Sequence, residues 1–315
     1  MNSPLPPAPD PSLPDAVARV AASVVAVVTR RHAGAGLVWR PGIVVTSASA
    51  LWRAPRAQIV LPGGEAVLGT LRGSDPGTDL AVLEFAAGDR PAPAAATVVA
   101  PAAAADPVPG DPGRGGARVG DFVFAAGREP EGGVHASFGH VGATGGAWRS
   151  WRGGHFDTLI RLDGGLYPGL AGAAVAGLHG PVLGIASPAF SRHHAVVVPA
   201  ATIERVLGAL LAHGRVPRSH LGIAVQPVRA TLEGAAVEGL LVSSVAEDGP
   251  AAKAGLLVGD VIVEAGGRPA RELEALRATI ADTPPGEALA LLVSRAGQRL
   301  SLAVDVAERP RSGCH

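Results

Sequence analysis

The feature that most constrains this chain is its punctuation. Short runs of β-branched and aliphatic residues recur between glycine and proline signals: Ser23–Thr29, Gly36–Trp39, Ile43–Thr46, Gln58–Leu61, Val67–Arg72 and Leu80–Phe85. Turn signals spaced about 8–12 residues apart predict a sandwich or barrel. Strand-like runs resume at Asp121–Ala125, Gly133–Ser137, Gly139–Ala143, Thr158–Leu162, Ala173–Ala176, Val182–Ala186 and Ala195–Val198. After Pro199, the residues Ile203, Val206, Leu207, Leu210 and Leu211 fall on one helical stripe, with Gly214 as the stop signal. Aromatics make up 3% of the chain and apolar residues 47%, so the core must be built from Val, Leu, Ile and Ala.

At 315 residues the chain has room for about two domains. Residues 1–14 are proline-rich and read as a disordered tail, and 86–118 reads as a Pro/Ala/Gly-rich linker inside a first domain spanning 15–213. A second domain covers 218–308, with a tail at 309–315. Lys+Arg and Asp+Glu are both 27, and this zero net charge removes the electrostatic footprint of a nucleic-acid binder. No run approaches 18 apolar residues, so no membrane span is expected. The N-terminus lacks a basic segment followed by an apolar one, which reads as a cytoplasmic protein. One cysteine, Cys314, excludes an intrachain disulfide and a multi-thiolate zinc site, so neither metal nor cofactor is expected.

The second domain alternates strands (Leu221–Val225, Gly239–Val245, Val261–Ala265, Ala288–Ser294, Leu300–Val306) with helices around Pro250–Ala254 and Arg271–Ile280. His220-Leu-Gly-Ile followed by Asp248-Gly-Pro-Ala-Ala-Lys-Ala-Gly-Leu-Leu-Val-Gly-Asp-Val-Ile resembles a PDZ domain of the bacterial HtrA/Deg type. The resemblance implies that protein or peptide C-termini add as a strand, their carboxylate meeting backbone N–H groups near His220, Leu221, Gly222 and Ile223. Val225 would continue that edge, and Leu273, Leu276 and Ile280, on one helix face, would wall the groove.

The first domain is similar to the trypsin-like protease domain of the same family. Gly34-Ala-Gly-Leu-Val, Ile43-Val-Val-Thr-Ser-Ala-Ser-Ala-Leu, Asp75-Pro-Gly-Thr-Asp-Leu-Ala-Val-Leu and Ile160-Arg-Leu-Asp-Gly-Gly-Leu-Tyr-Pro-Gly-Leu-Ala-Gly-Ala-Ala-Val carry the likeness. It implies a mainly β chain: a chymotrypsin-like double six-stranded β-barrel followed by a small α+β PDZ domain. Carried over residue by residue, the histidine position is Ser49, the aspartate is Asp79 and the nucleophile position is Ala171, with Gly169 and Leu170 in the former oxyanion turn. Acyl transfer of this design needs a hydroxyl, an imidazole and an orienting carboxylate, so the expectation is a pseudoprotease and not an enzyme. Such a protein would act as an adaptor, scaffold or chaperone-like subunit, the alternative being an active hydrolase with a relocated nucleophile and base. Family trimers form through the segment that is proline-rich here, which leaves a homo-oligomer open.

Ser47 and Ser49 lie near the histidine position, where Ser49 would pair with Asp79. His135, His140, His155 and His179 are the histidines available for relocation, while His193-His194 read as surface or core residues and Cys314-His315 as a tail that neither binds metal nor oxidises. The glycine clusters at 113–116 and 144–146 lack a following Gly-Lys-Ser/Thr and read as turns.

Overall fold

The computed structural model describes residues 12–52, 54–86, 94–96, 98, 116–178, 181–191 and 193–308. Most of the 86–118 linker, His179, Cys314 and His315 lie outside the described residues. The chain divides into two compact units, residues 1–216 and 217–315.

The first unit opens with helix α1 (Leu13–Ala21), two residues earlier than the composition suggests. Ser12 explains the early start: its hydroxyl accepts the Asp15 N–H at 3.4 Å, while the Asp15 carboxylate accepts the Ser12 backbone N–H at 3.3 Å, a capping box. Proline in the first turn has no N–H to leave unpaired there.

Strands β1 (Val24–Val28), β2 (Ala33–Arg40), β3 (Ile43–Ser47), β4 (Arg56–Val60), β5 (Ala66–Asp75) and β6 (Leu80–Glu84) close a barrel in the order β1-β2-β3-β6-β5-β4. A short helix, α2 (Ala48–Leu51), interrupts the path from β3 to β4. A second closed barrel, ordered β11-β14-β13-β12-β7-β8, comprises β7 (Phe122–Arg128), β8 (Val134–Gly145), β11 (Leu159–Leu162), β12 (Ala174–Gly177), β13 (Val182–Ser187) and β14 (Val196–Pro199). β9 (Trp148–Arg149) and β10 (His155–Phe156) form a small ribbon beside it. The two runs expected at Gly133–Ser137 and Gly139–Ala143 are one strand, β8. Its ladder with β7 runs through Gly139 and is taken over by β11 from Val141 onward.

Val25, Val27, Val38, Val44 and Ile59 fill the first barrel, and Val123, Val141, Ile160, Val175 and Val197 fill the second. A third cluster joins the barrels, packing Leu37, Val45, Phe124 and Ile185 against Ile203, Val206, Leu207 and Leu210 of α3 (Ala200–His213). The predicted stripe is therefore the buried face of α3, which stops at Gly214 in the left-handed conformation (φ 70°). Buried Arg128 ties β7 to the chain start: its guanidinium donates to the carbonyls of Val24 (2.8 Å), Ala21 (2.8 Å) and Gly132 (2.7 Å).

In the second unit, β16 (Ile223–Leu232), β17 (Ala235–Val245), β18 (Val261–Ala265), β20 (Ala288–Arg295) and β21 (Gln298–Asp305) form a sheet in that order, with β19 (Arg268–Pro269) paired to β18. β15 (Ser219–His220) pairs with β22 (Ala307–Glu308). Helices α4 (Pro250–Lys253) and α5 (Leu273–Asp282) complete the unit, whose core includes Leu240, Val242, Ile262, Leu291 and Val293. Among the described residues β16 is an edge strand whose ladder is formed with β17. The two barrels and this smaller α+β unit are the mainly β architecture expected.

Candidate functional site

Asp79 is built into place by its own turn. In Asp75-Pro-Gly-Thr-Asp79, the Asp75 carboxylate accepts the N–H groups of Gly77 (3.2 Å) and Thr78 (3.1 Å) and the Thr78 hydroxyl (2.8 Å). The turn delivers Asp79 at φ +55°, in the left-handed region that non-glycine residues seldom adopt. Its backbone carbonyl accepts the Ala48 N–H (2.8 Å), which fixes α2 over it.

The carboxylate is 1% exposed and faces hydroxyls. Oδ2 accepts Ser47 Oγ and Ser187 Oγ, both at 2.6 Å, and Oδ1 accepts the Ser49 backbone N–H at 2.9 Å. Ser49 Oγ is 2.6 Å from Ser47 Oγ and 3.4 Å from Asp79 Oδ2. With the Ser47 proton committed to Asp79, the Ser49 hydroxyl donates to Ser47. Burial pushes the Asp79 carboxyl above the usual carboxylate range, against the downward pull of the hydrogen bonds from Ser187, Ser47 and Ser49. Ser49 is exposed and Ser47 buried, so the cluster runs from solvent to a buried acid.

The turn at 169–172 is packed onto the same elements. Gly169 and Gly172 have φ of +88° and +84°, and the Ala171 carbonyl accepts the Ala35 N–H at 2.9 Å. A Cβ on Gly172 would run into the Ala35 carbonyl oxygen and stand 2.9 Å from the Ser47 nitrogen. Leu170 is buried in the second barrel's core. The structure thus brings Ser49, Asp79, Gly169, Leu170 and Ala171 to one junction between the barrels. Ala171 carries no hydroxyl and Ser49 no imidazole.

Among the candidate histidines, His135 stands against this turn: a Cβ on Gly169 would lie 3.3 Å from its Cε1. Its Nδ1 is 3.5 Å from Glu129 Oε1, while its Nε2 is buried without a hydrogen-bond partner among the described residues. His140 packs edge-on against Phe122, and His155 Nε2 lies 4.0 Å from Asp157. Among the described residues no three of His, Cys, Asp or Glu gather as a metal ion would require. Ser187 was not singled out from the sequence. It lies 108 residues from Asp79, and the one local signal was a polar residue closing an otherwise apolar strand.

In the second unit, Leu221 and Leu276 are core residues, each 2% exposed, while Ile223, Val225, Leu273 and Ile280 are half-buried. His220 Nδ1 donates to the Ala307 carbonyl at 3.1 Å. Gly222 takes φ +77° between β15 and β16, its carbonyl accepting the Ala246 N–H. The N–H groups of Leu221 and Gly222 reach no protein acceptor among the described residues.

Two closed six-stranded barrels meeting at a buried aspartate and a glycine turn define a trypsin-like peptidase fold. Residues 34–185 match the trypsin-like peptidase domain, and residues 219–306 match the PDZ domain. The chain therefore carries a trypsin-like peptidase domain followed by a PDZ domain, the combination seen in the HtrA- and DegP-type proteins it is similar to. It is 33% identical over 278 residues to a probable periplasmic serine endoprotease, DegP-like, of Brucella suis biovar 1 (strain 1330), covering 85% of this chain and 51% of that one. A protein of the same name from Pseudomonas fulva (strain 12-X) is 31% identical over 284 residues, covering 87% and 55%. The chain thus spans about half the length of these relatives. Among solved structures, the HtrA-type protease AlgW with a decapeptide superposes with a TM-score of 0.74 at 26% identity, covering 95% of this chain and 99% of that one. The serine endoprotease from Yersinia pestis gives 0.74 at 26% identity, covering 95% and 98%.

Two expectations are corrected by these findings. The reading that the chain is not an enzyme does not stand, because these relatives are serine endoproteases or HtrA-type proteases by name. Residue identity at two aligned positions measures no turnover. The cytoplasmic location is likewise overturned by relatives named periplasmic. The first residues of a chain matching half of its relatives' length carry no argument about compartment.

Proposed function

We propose that this chain is a periplasmic HtrA/DegP-type protein whose PDZ unit captures peptide C-termini. The observation that carries the reading is the exposed start of β16. Strand addition needs a free sheet edge and unclaimed backbone donors, and β16 offers the edge directly after the N–H groups of Leu221 and Gly222. Leu273 and Ile280 of α5, both half-buried, supply apolar wall beside it. The test is fluorescence anisotropy of the full chain with apolar peptides ending in a free carboxylate or in an amide. Amidation is expected to weaken binding about tenfold or more. Equal binding of the two forms would overturn the carboxylate reading.

A second reading, serine-type peptide hydrolysis, is favoured by the hydroxyl relay on Asp79 together with the relatives' names. Exposed Ser49 is the available nucleophile. As its Oγ bonds to the scissile carbonyl carbon, its proton passes to Ser47 Oγ and the Ser47 proton to Asp79 Oδ2. As the C–N bond breaks, the leaving amine takes the Ser47 proton while Asp79 returns its own to Ser47; water then attacks the acyl carbonyl, its proton passing by way of Ser47 to Asp79, and the released Ser49 Oγ takes that proton back as the acid departs. A carboxyl lifted above its usual range is a stronger base for this role than an ordinary one. Casein hydrolysis by rigorously purified protein, abolished by Ser49→Ala and by Asp79→Ala, is the expected result. Turnover that survives Ser49→Ala would exclude the relay.

A further inference from the structure

Between Asp15 and Glu65 the chain carries six arginines and no acidic residue. The fold gathers part of that charge at a cleft of about 510 Å³ between the β1–β2 turn and the α2–β4 connection. Its lining includes Arg30, Arg31, Arg56, Trp52, Thr29 and Pro55. The three arginines are exposed and have no carboxylate partner among the described residues. Glu84, two strands from Arg56 through Thr70, is 3.5 Å from Arg72.

The cleft is held in shape from both sides. Thr29 closes the β1–β2 turn on His32: its N–H and hydroxyl donate to the His32 carbonyl at 2.8 and 3.0 Å, and the His32 N–H donates to its Oγ1 at 3.0 Å. Arg30 and Arg31 are therefore displayed at the two corners of a fixed turn. Opposite them, Trp52 ends α2 in the left-handed conformation (φ 45°) and is 65% exposed, its indole tilted against His32 with centroids 5.5 Å apart. A bulky aromatic side chain at positive φ is strained, and here the strained backbone presents the indole to solvent.

We propose that this cleft binds an acidic peptide segment, its carboxylates engaging Arg30, Arg31 and Arg56 and an apolar side chain resting on Trp52. Arginine and tryptophan are the side chains most enriched where few residues carry the binding energy, and guanidinium forks match carboxylates. Three arginines lining one cleft suit a short acidic segment rather than a polyanion, which would need an extended basic face. The occupant is separate from any peptide held by the PDZ unit, since no terminal carboxylate is involved.

The test is anisotropy of the full chain with a fluorescent, acetylated, C-terminally amidated peptide rich in Glu and Phe. The amide removes the terminal carboxylate that the PDZ reading requires, so the two ideas fail separately. Binding is expected to weaken with added salt, to fall about tenfold or more in the triple variant Arg30→Ala, Arg31→Ala, Arg56→Ala, and to weaken in Trp52→Ala. A companion peptide with Gln for Glu is expected not to bind. Binding unchanged in both variants would overturn the proposal, as would inorganic phosphate displacing the peptide at equal concentration. All three arginines are on the surface, and retained unfolding temperature in the triple variant verifies that a loss of binding is local.

Discussion

At the scale of single residues, Asp79 concentrates the chemistry of the barrel unit. A buried carboxylate accepts two serine hydroxyls at 2.6 Å and a backbone N–H at 2.9 Å, and burial still holds it above the usual range. A folded-state value above the unfolded one means that the native state binds the proton more tightly. Stability from this group is therefore highest below the ordinary aspartate value of 3.8 and declines as pH rises through the raised folded value. Asp79→Asn keeps one acceptor oxygen and removes the charge. We predict that it flattens this decline and stays within about 1 kcal/mol of wild type near neutral pH, measured by urea denaturation across pH. Asp79→Ala leaves Ser47, Ser187 and the Ser49 N–H without their acceptor in a buried site. Its expected cost is about 2–4 kcal/mol, and a loss under 1 kcal/mol would show that the serines re-pair among themselves.

At the scale of elements, turns with a chemical duty and strands with a packing duty left different traces in the sequence. The strands of both barrels and the face of α3 were legible because aliphatic runs bounded by glycine and proline have few alternatives. The helix at Leu13, the short α2 and the continuity of β8 were not, since they rest on a cap, on a single turn and on a ladder shared with two neighbours. Asp260 in the PDZ unit shows how one polar contact fixes elements distant in sequence. Its buried carboxylate takes the Arg295 guanidinium at 2.8 Å on each oxygen and the Leu257 N–H at 2.8 Å, tying the approach to β18 to the end of β20. Burial alone would raise this carboxyl, but the Arg295 hydrogen bonds, the Leu257 N–H and the arginine's charge hold it below the usual range. Because the folded value is depressed, the stabilisation is present above the ordinary value of 3.8 and disappears as pH falls through the folded one. Asp260→Asn is expected to cost about 1–3 kcal/mol near neutral pH and to make the unit less sensitive to acid. Amide exchange in β18 and β20 reads this directly, and unchanged protection would assign those strands' stability to apolar packing alone.

At the scale of the molecule, the trypsin-like and PDZ halves were legible from motifs, and the centre between the barrels only in part. Ser49, Asp79 and Ala171 were placed by their surrounding glycines and aliphatic residues. Ser187 and the approach of His135 to Gly169 were not, because the barrels bring them in from strands far along the chain. If Ser49 and Ala171 stand at the histidine and nucleophile positions, as the family resemblance implies, the frame around them is already fixed by backbone contacts. Ala171 is pinned through its carbonyl to Ala35, Gly172 fits against Ser47, and Ser49 donates its N–H to Asp79. Ser49 is exposed and Ala171 half-buried, so an imidazole and a hydroxyl can be introduced without displacing core volume. The double variant Ser49→His, Ala171→Ser therefore tests whether the frame alone suffices for turnover. We predict a gain in casein hydrolysis over wild type of about tenfold or more, since nucleophile and base act as a unit in such centres. The gain should vanish with a third change, Asp79→Ala, which removes the carboxylate orienting the new imidazole. A double variant that keeps the wild-type unfolding temperature without gaining hydrolysis would place the fault in the oxyanion turn. There Leu170 precedes the nucleophile position and its side chain is anchored in the second barrel's core. Such a result would assign the turn's geometry to packing rather than to stabilising a tetrahedral intermediate.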